Sequence, residues 1–240
     1  MSISRVGNEI KLTKRLAAAA SAVREGSRVA DVGCDHGKLA AWLVFSGKCA
    51  HAYAIDISEP SLQKAADLFS SLGVAEKTTA LLADGLETVE PDLVDDVIIG
   101  GLGYDTIKKI IADAEWLKDE SKRLVLVPSS KHDRLRRFLY MNGFAIDKEL
   151  AVSEYGHVYA VMTVRYHGIK RILSAPETAF GGILNSDGDN LAYVQAVRRR
   201  CERLMRQAKE AKSSRPSDAL KEAIEIIGFL EAGGRKEGLW

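Results

Sequence analysis

The sequence lacks any long apolar run. No stretch reaches the roughly 18 consecutive apolar residues that a membrane-spanning helix needs. The longest candidate, Leu16–Val23, is rich in alanine and carries no cleavage signature. We therefore expect neither a membrane span nor a signal peptide.

Cysteine is scarce, and its spacing is not that of a structural site. Cys34, Cys49 and Cys201 lie far apart and form no CxxC pair, which argues against a disulfide scaffold and against structural zinc. We expect no metal site and a reducing, cytoplasmic environment. The GxGxxG pattern of dinucleotide-binding proteins is also missing, which disfavours a nicotinamide-dependent dehydrogenase.

Charge of either sign is nearly balanced over the whole chain but unevenly distributed along it. Residues 1–164 carry 20 basic and 23 acidic side chains, a net charge of −3, whereas residues 165–240 carry 14 and 10, a net charge of +4. The basic excess lies mainly in Arg198–Arg206 and Lys209–Arg215. A basic appendage on a mildly acidic domain suggests a polyanionic partner, and the alternative is a solvated helix face.

Strand-like apolar runs alternate with helical patterns in the first part of the chain. A helix with Leu12, Leu16, Ala20 and Val23 on one face comes first, with Thr13 capping it or lying inside it and Gly26 ending it. The predicted strands that follow are Arg28–Val32, His51–Asp56, Thr78–Ala83, Asp96–Gly100 and Arg123–Val127.

A hairpin is predicted next, because no helical pattern separates Phe144–Val152 from His157–Tyr166 and Ser153–Gly156 has turn composition. Five strand–helix units followed by a hairpin predict an α/β fold. We expect an open, mostly parallel seven-stranded sheet with helices on both faces and an antiparallel edge.

Two long amphipathic helices are predicted after His167, at Asn190–Lys212 and Pro216–Glu231. Their apolar stripes are Leu191, Val194, Val197, Cys201, Leu204 and Ala208 on the first helix and Leu220, Ile224, Ile227 and Leu230 on the second. Such narrow seams pack two helices against each other or against a partner. We therefore predict two domains, residues 1–166 and residues 167–240, the second small, helical and coiled-coil-like.

The segment Arg28–Lys38, RVADVGCDHGK, predicts a strand, a glycine-rich turn and a helix. Gly33 and Gly37 let the backbone turn sharply and approach a ligand, and the N-terminus of the helix offers free N–H groups. Ligands of open α/β sheets bind at the carboxyl ends of the strands. Asp56, Asp84 and Gly100–Gly103 fall at three further strand ends, so the sequence predicts a site for a nucleotide-type ligand at this edge.

Several stretches resemble the bacterial tRNA (adenine-22-N1)-methyltransferase family. The matching stretches are Leu12–Leu16 (LTKRL), Gly26–Leu39 (GSRVADVGCDHGKL), Ala54–Ala65 (AIDISEPSLQKA), Asp84–Glu87 (DGLE), Val97–Gly103 (VIIGGLG) and Leu135–Phe144 (LRRFLYMNGF). The resemblance covers about residues 10–165 and, more loosely, the helical C-terminal part with FGG at Phe180–Gly182. It implies a Rossmann-like methyltransferase sheet and a cytoplasmic enzyme that uses S-adenosyl-L-methionine to methylate N1 of an adenine in tRNA.

The resemblance also implies roles for individual residues. Asp31 would hold the ammonium group of the methionine moiety, Asp56 the ribose hydroxyls, and Asp84 the exocyclic amine of the cofactor adenine, with Gly85 admitting the flat ring. The structural alternatives are capping of the turn for Asp31, an N-cap for Asp56 and an ordinary turn for Asp84. His36 contacts cofactor or target base, or only starts its helix. The implied cofactor-binding residues are Asp31, Gly33, Asp35, His36, Gly37, Asp56, Ile57, Asp84, Gly85, Gly100, Gly101 and Leu102.

Methylation of adenine N1 requires positioning more than a strong base, because the N1 lone pair is already nucleophilic and the leaving sulfonium is activated. We expect the catalytic residues to be Asp31, Tyr104 and Ser129. Two turns depart from the family: GLGY ends in Tyr104 where the family has glycine, and VPSS (Val127–Ser130) replaces a QPN-like motif. Tyr104 stacks on a base, fills the pocket or packs against its own helix. A methyltransferase of another substrate and a non-catalytic RNA-binding homologue therefore stay open.

Basic side chains in two places are candidates for RNA contact through phosphates. Beside the active-site edge they are Lys131, Arg134, Arg136 and Arg137, and on the appended helix they are Arg198, Arg199, Arg200, Arg203 and Arg206. Three consecutive arginines cannot all face one direction on a helix. The helical part contacts RNA or a partner chain, and the protein is a monomer or a dimer.

Overall fold

The computed structural model describes residues 10–185, 188–210 and 217–233. The strands are β1 (Arg28–Val32), β2 (His51–Asp56), β3 (Thr78–Leu82), β4 (Asp96–Gly100), β5 (Arg123–Val127), β6 (Phe144–Glu154) and β7 (His157–Tyr166). The α-helices are α1 (Lys14–Ala22), α2 (Lys38–Phe45), α3 (Glu59–Ser71), α4 (Tyr104–Asp113), α5 (His132–Met141), α6 (Ala175–Phe180), α7 (Asn190–Glu210) and α8 (Asp218–Glu231).

The strands form one seven-stranded sheet in the order β3-β2-β1-β4-β5-β7-β6. Strands β1 to β5 are parallel, and β7 and β6 complete the edge in antiparallel pairing. The predicted α/β fold is confirmed. The hairpin turn is shorter than predicted, because β6 continues to Glu154 and the turn is made by Tyr155 and Gly156 at φ of 49° and 78°. Two successive positive φ angles suit the right-handed twist of a two-residue hairpin.

Apolar layers cover both faces of the sheet, as its central strands require. Four of the five residues are buried in β4 and likewise in β5, so both strands are buried on both faces instead of on alternate residues. Helices α1, α2 and α3 contribute to the layer on one face. Helices α4 and α5 contribute to the layer on the other face. The carboxyl ends of the parallel strands are thereby left as the edge where loops meet.

The helical C-terminal part packs onto the same face as α4 and α5. Phe180, Val197, Cys201 and Ile226 belong to one apolar layer with the sheet residue Leu124. Helices α7 and α8 also contact each other. The layer is continuous from the sheet into α6, α7 and α8, and the division between residues 1–166 and 167–240 stays a prediction.

Two positions of the predicted helical stripes are wrong. Leu191 is 67% exposed because it lies in the first turn of α7, and Ile224 is 50% exposed because the buried face of α8 centres on Ala223 and Ile226. The predicted helix ends at Lys212 and Pro216 lie outside the described residues.

Helix α1 is capped as predicted at one end only. The Thr13 hydroxyl accepts a hydrogen bond from the Leu16 N–H, which makes it the N-cap. The prediction that Gly26 ends the helix is wrong, because Val23 already adopts extended backbone angles. Gly26 instead serves a turn in which its N–H donates to the Lys48 carbonyl.

Candidate functional site

A cavity of about 260 Å³ opens at the carboxyl ends of β1, β4 and β5. It is lined by Arg15, Leu16, Ala19, Asp31, Gly33, Cys34, Asp35, His36, Lys38, Leu39, Ile98, Gly100, Gly101, Leu102 and Val127. Seven of the predicted cofactor-binding residues are therefore in the wall of one cavity. The others, Gly37, Asp56, Ile57, Asp84 and Gly85, are not part of that wall.

The turn after β1 is fixed by its backbone. Gly33 adopts φ of 72°, and the N–H groups of Gly33 and Cys34 both donate to the Ile55 carbonyl, at 2.9 and 3.1 Å. Gly37 adopts φ of 67°, and a Cβ there would stand 2.7 Å from the Ala65 Cβ. Gly37 therefore allows α2 to start in contact with α3, and it serves packing as much as ligand access.

Asp31 is a buried carboxyl group in the cavity wall, 5% exposed. Burial raises its pKa from 3.8 to about 7, while a backbone hydrogen bond from Ala40 acts in the opposite direction. No lysine or arginine among the described residues forms an ion pair with it. The site thus presents an acidic group without a cationic partner, which is a fit for a ligand ammonium group.

Asp56 organises the turn beside this cavity. Its two carboxylate oxygens accept hydrogen bonds from the Asp35 N–H at 3.1 Å and the Ser58 N–H at 2.9 Å. The N-cap of α3 is Ser58, so the N-cap alternative for Asp56 is wrong. Each carboxylate oxygen keeps further acceptor capacity. The next residue, Ile57, is 74% exposed and offers an apolar surface beside that carboxylate.

Asp84 and Gly85 follow β3, at the far side of the same sheet edge. The Asp84 carboxylate pairs with the Lys109 ammonium group of α4 at 3.1 Å, and both side chains are more than half exposed. Gly85 adopts φ of 70° beside Ile110. Exposed pairs of this kind contribute little to stability, so Asp84 can exchange Lys109 for another donor.

The β4 and β5 ends are joined to each other through their backbones. The Gly101 N–H donates to the Val127 carbonyl and the Ser129 N–H to the Leu102 carbonyl, both at 2.9 Å. Tyr104 begins α4 and packs partly buried against the apolar layer, with the Lys131 ammonium group 5.9 Å from its ring centroid. Ser129 is exposed next to the buried Pro128. Tyr104 and Ser129 therefore lie next to the cavity wall without forming part of it.

Arg15 of α1 lies in the cavity wall, although the sequence did not predict it as a site residue. Its Nη1 stands 3.5 Å from where a Cβ on Gly101 would be, and its guanidinium lies 4.9 Å from the Tyr159 ring centroid. Its Nε is buried, finds no hydrogen-bond partner among the described residues, and lies 3.7 Å from a Glu154 carboxylate oxygen. The only sequence signal was the LTKRL stretch that contains it.

The side chains predicted to contact RNA differ in whether they form an ion pair with a carboxylate of this chain. Arg134, Arg199, Arg203 and Arg206 are exposed. Lys131 pairs with Asp105, Arg137 with Glu222, Arg198 with Glu202 and Arg200 with Asp133. The prediction for Arg136 is wrong: its side chain is fully buried and pairs with Glu149 at 2.6 Å.

The described part of the chain has neither a metal-binding cluster nor a membrane-spanning helix. No group of three or more histidine, cysteine, aspartate or glutamate residues with metal-binding geometry occurs in residues 10–185, 188–210 and 217–233. In that same part of the chain no helix has the length and apolar character to cross a membrane.

Comparison with known proteins places these features in context. The model of a family described as a methyltransferase domain matches residues 12–162. A curated tRNA (adenine(22)-N(1))-methyltransferase of Bacillus subtilis (strain 168) is 29% identical over 155 residues, 65% of this chain and 65% of that protein. A Mycoplasma pneumoniae protein named as a candidate tRNA methyltransferase is 34% identical over 137 residues, 56% of this chain and 61% of that protein. The chain thus spans less than two thirds of both curated relatives.

A solved structure from Streptococcus pneumoniae is similar over nearly the whole chain. It is named as a candidate tRNA (m1A22) methyltransferase in complex with S-adenosyl-L-methionine. The identity is 30% and the TM-score 0.76, with 90% of this chain and 100% of that chain covered. The coverage includes the helical C-terminal part as well as the sheet.

Proposed function

The chain belongs to the methyltransferase domain family and, within it, to the bacterial tRNA (adenine-22-N1)-methyltransferases, and we propose that it transfers a methyl group from S-adenosyl-L-methionine to N1 of adenine 22 in tRNA. The proposal is supported by the cavity at the ends of β1, β4 and β5, because the buried Asp31 carboxyl and the Gly33 turn both lie in its wall. In this proposal the enzyme acts in the cytoplasm.

The residues of the site fit the cofactor. S-Adenosyl-L-methionine supplies an electrophilic methyl group on a sulfonium centre. Asp31 accepts from the ammonium group of the methionine moiety, and Arg15, in the wall of the same cavity, binds its carboxylate. Asp56 accepts from the ribose hydroxyls, because its two backbone hydrogen bonds leave lone pairs available.

Residues at the β2 and β3 ends would hold the adenosine end of the cofactor. Ile57 would offer its exposed apolar side chain to the adenine ring, and Asp84 would accept from the exocyclic amine in place of Lys109. The remaining residues that we predict to contact the cofactor are Gly33, Asp35, His36, Gly37, Gly85, Gly100, Gly101 and Leu102.

The target adenine enters beside the β4 and β5 ends. Tyr104 and Ser129 lie in the two turns that the Ser129–Leu102 hydrogen bond joins, so both are available to stack on or bond to a base. No group is required to remove a proton from N1 before it attacks, so these residues act by orienting the base. Asp31 contributes negative potential near the cationic product ring.

The tRNA backbone is held by the exposed arginines in this proposal. Arg134 lies near the site, and Arg199, Arg203 and Arg206 lie on α7. Replacing Arg199 and Arg203 together with alanine is expected to weaken tRNA binding and to reduce the slope of log K against log salt by about 2. Lys77→Ala, an exposed change next to the start of β3, is the control and leaves the slope unchanged. An unaltered slope in the double variant would remove α7 from the RNA surface.

The experiment for the function is methyl incorporation from labelled cofactor into unmodified bacterial tRNA. We expect acid-precipitable label with the wild-type protein and none with Asp56→Ala, whose affinity for S-adenosylhomocysteine is also lost. Cofactor binding together with tRNA binding but no incorporation would favour a non-catalytic RNA-binding role. Cofactor binding with no affinity for tRNA would favour a methyltransferase of another substrate.

A further inference from the structure

A second cavity, of about 180 Å³, lies at the seam between the sheet domain and the helical C-terminal part. Its wall includes Ser129 next to the first cavity, Val158 of β7, and His132, Tyr193 and Arg200 of the helices. The cofactor and RNA proposals leave His132 and Tyr193 without a role. Both belong to a chain of hydrogen bonds that crosses this seam.

The direction of each hydrogen bond in the chain follows from its partners. The Pro128 carbonyl lies 3.2 Å from His132 Nε2 and can only accept, so Nε2 carries the proton. Burial lowers the pKa of His132 to about 4, with the Arg136 charge acting in the same direction, so the ring is neutral near pH 7. Its Nδ1 is therefore an acceptor, and the Tyr193 hydroxyl, 3.0 Å away, donates to it.

The other end of this series of hydrogen bonds is held by a fully buried guanidinium group. Arg136 Nη2 donates to the Tyr193 hydroxyl oxygen at 3.0 Å. The other donors of Arg136 are committed to the Glu149 carboxylate and to the carbonyls of Thr178 and Ala179. With every N–H of Arg136 used, this group cannot rotate without losing a bond, and it fixes the orientation of the Tyr193 hydroxyl.

This series of hydrogen bonds ends on the segment that the proposed function assigns to the target base. Pro128 precedes Ser129, whose N–H bonds to the Leu102 carbonyl, and Val127 and Leu102 are in the wall of the first cavity. We propose that Tyr193 of α7 is a positioning residue that acts through His132 to hold the Pro128–Ser129 backbone in its base-binding position. This inference rests on the proposed function for its substrate, but the positioning itself concerns only this chain.

The primary test is Tyr193→Phe, which keeps the ring stacked on His132 and removes one hydroxyl. The hydroxyl donates to His132 and accepts from Arg136, so the variant breaks both hydrogen bonds, and we expect kcat for tRNA to fall about two- to tenfold. KM for tRNA and the Kd for S-adenosylhomocysteine are expected to stay within about twofold. Tyr140→Phe, which removes the hydroxyl of a partly buried tyrosine on α5, is the control and keeps kcat. An unchanged kcat in Tyr193→Phe would overturn the proposal.

Variants of His132 test whether Tyr193 acts through it. Glutamine places a donor near the Nε2 position and can keep the bond to Pro128, whereas asparagine reaches only the Nδ1 position. We expect His132→Gln to retain more activity than His132→Asn. We also expect Tyr193→Phe to cause no further loss in the His132→Asn background, because the two groups form one unit. Additive losses would contradict the proposal.

Hydrogen exchange separates the positioning from the reaction. Tyr193→Phe is expected to speed amide exchange in the peptide that contains Ser129 and Ser130, with no RNA present, while Tyr140→Phe leaves it unchanged. This result would stand even if the protein did not methylate tRNA. Unchanged exchange in Tyr193→Phe would refute the positioning role independently of the function.

Discussion

Cofactor affinity is expected to depend on pH through Asp31. The perturbation is a shift from pH 8 to pH 6 in the ligand-free protein, where burial holds the pKa of this carboxyl at about 7. Because the ammonium group of the ligand requires the ionised form, binding below pH 7 must first remove the proton. With a pKa of about 7, roughly 9% of Asp31 is ionised at pH 6 and about 91% at pH 8.

The magnitude follows from those fractions. The Kd for S-adenosylhomocysteine should be about tenfold higher at pH 6 than at pH 8, equivalent to about 1.4 kcal/mol. Isothermal titration calorimetry across pH 5.5 to 8.5 measures it. Asp31→Asn should bind more weakly at pH 8 and lose the pH dependence. His36→Gln should keep the pH dependence of Kd, which would show that it comes from Asp31 and not from the imidazole in the same cavity wall.

The stability of the ligand-free protein should follow the opposite trend. A carboxyl whose pKa is raised in the folded state stabilises the fold most at pH values below its unfolded pKa of 3.8. This stabilisation is lost as the pH rises through the folded-state pKa of about 7. At pH 8, Asp31→Asn should therefore unfold with a larger free energy than the wild type, by at most about 4 kcal/mol. A Kd that is flat from pH 6 to 8, together with an Asp31→Asn variant that is no more stable, would show that Asp31 is not a buried carboxyl of raised pKa that binds the ammonium group.

Two further predictions concern stability, measured by urea unfolding. Gly37→Ala is expected to lower the free energy of unfolding by about 3 kcal/mol, because a Cβ would stand 2.7 Å from the Ala65 Cβ in addition to the strain of a left-handed φ. Gly47→Ala, at φ of 75° with nothing within 4 Å of the added Cβ, should lower it by only about 1 kcal/mol. Equal losses would contradict the packing explanation. Glu149→Ala is expected to cost about 3–5 kcal/mol because it leaves the buried Arg136 charge unpaired, and a loss below about 1 kcal/mol, the range of a surface pair, would contradict this.

The sheet and its ligand-binding edge could be predicted because their signals are local. Each parallel strand is a short apolar run, and the glycines after β1 mark a turn that the structure has at positive φ. The carboxyl ends of parallel strands meet at one edge, so Asp31 and the Gly100–Leu102 turn could be assigned to one place before any contact was known.

The missed residues depend on contacts between distant segments. Arg136 lies on a helix with several other basic side chains, and only the tertiary position of Glu149 on β6 shows that its side chain is buried. Arg15 reaches the cavity because α1 packs against the β6–β7 hairpin, where Glu154 and Tyr159 hold it. Neither partner is near in sequence, so periodicity and composition carry no information about these pairs.

We propose that this chain methylates N1 of adenine 22 in tRNA. The most direct measurement is mass-spectrometric mapping of an unmodified tRNA transcript after incubation with the protein and S-adenosyl-L-methionine. We expect 1-methyladenosine at position 22 and no modification of a transcript that carries guanine there. Methylation at another nucleotide, or at the exocyclic amine instead of N1, would contradict the proposed function.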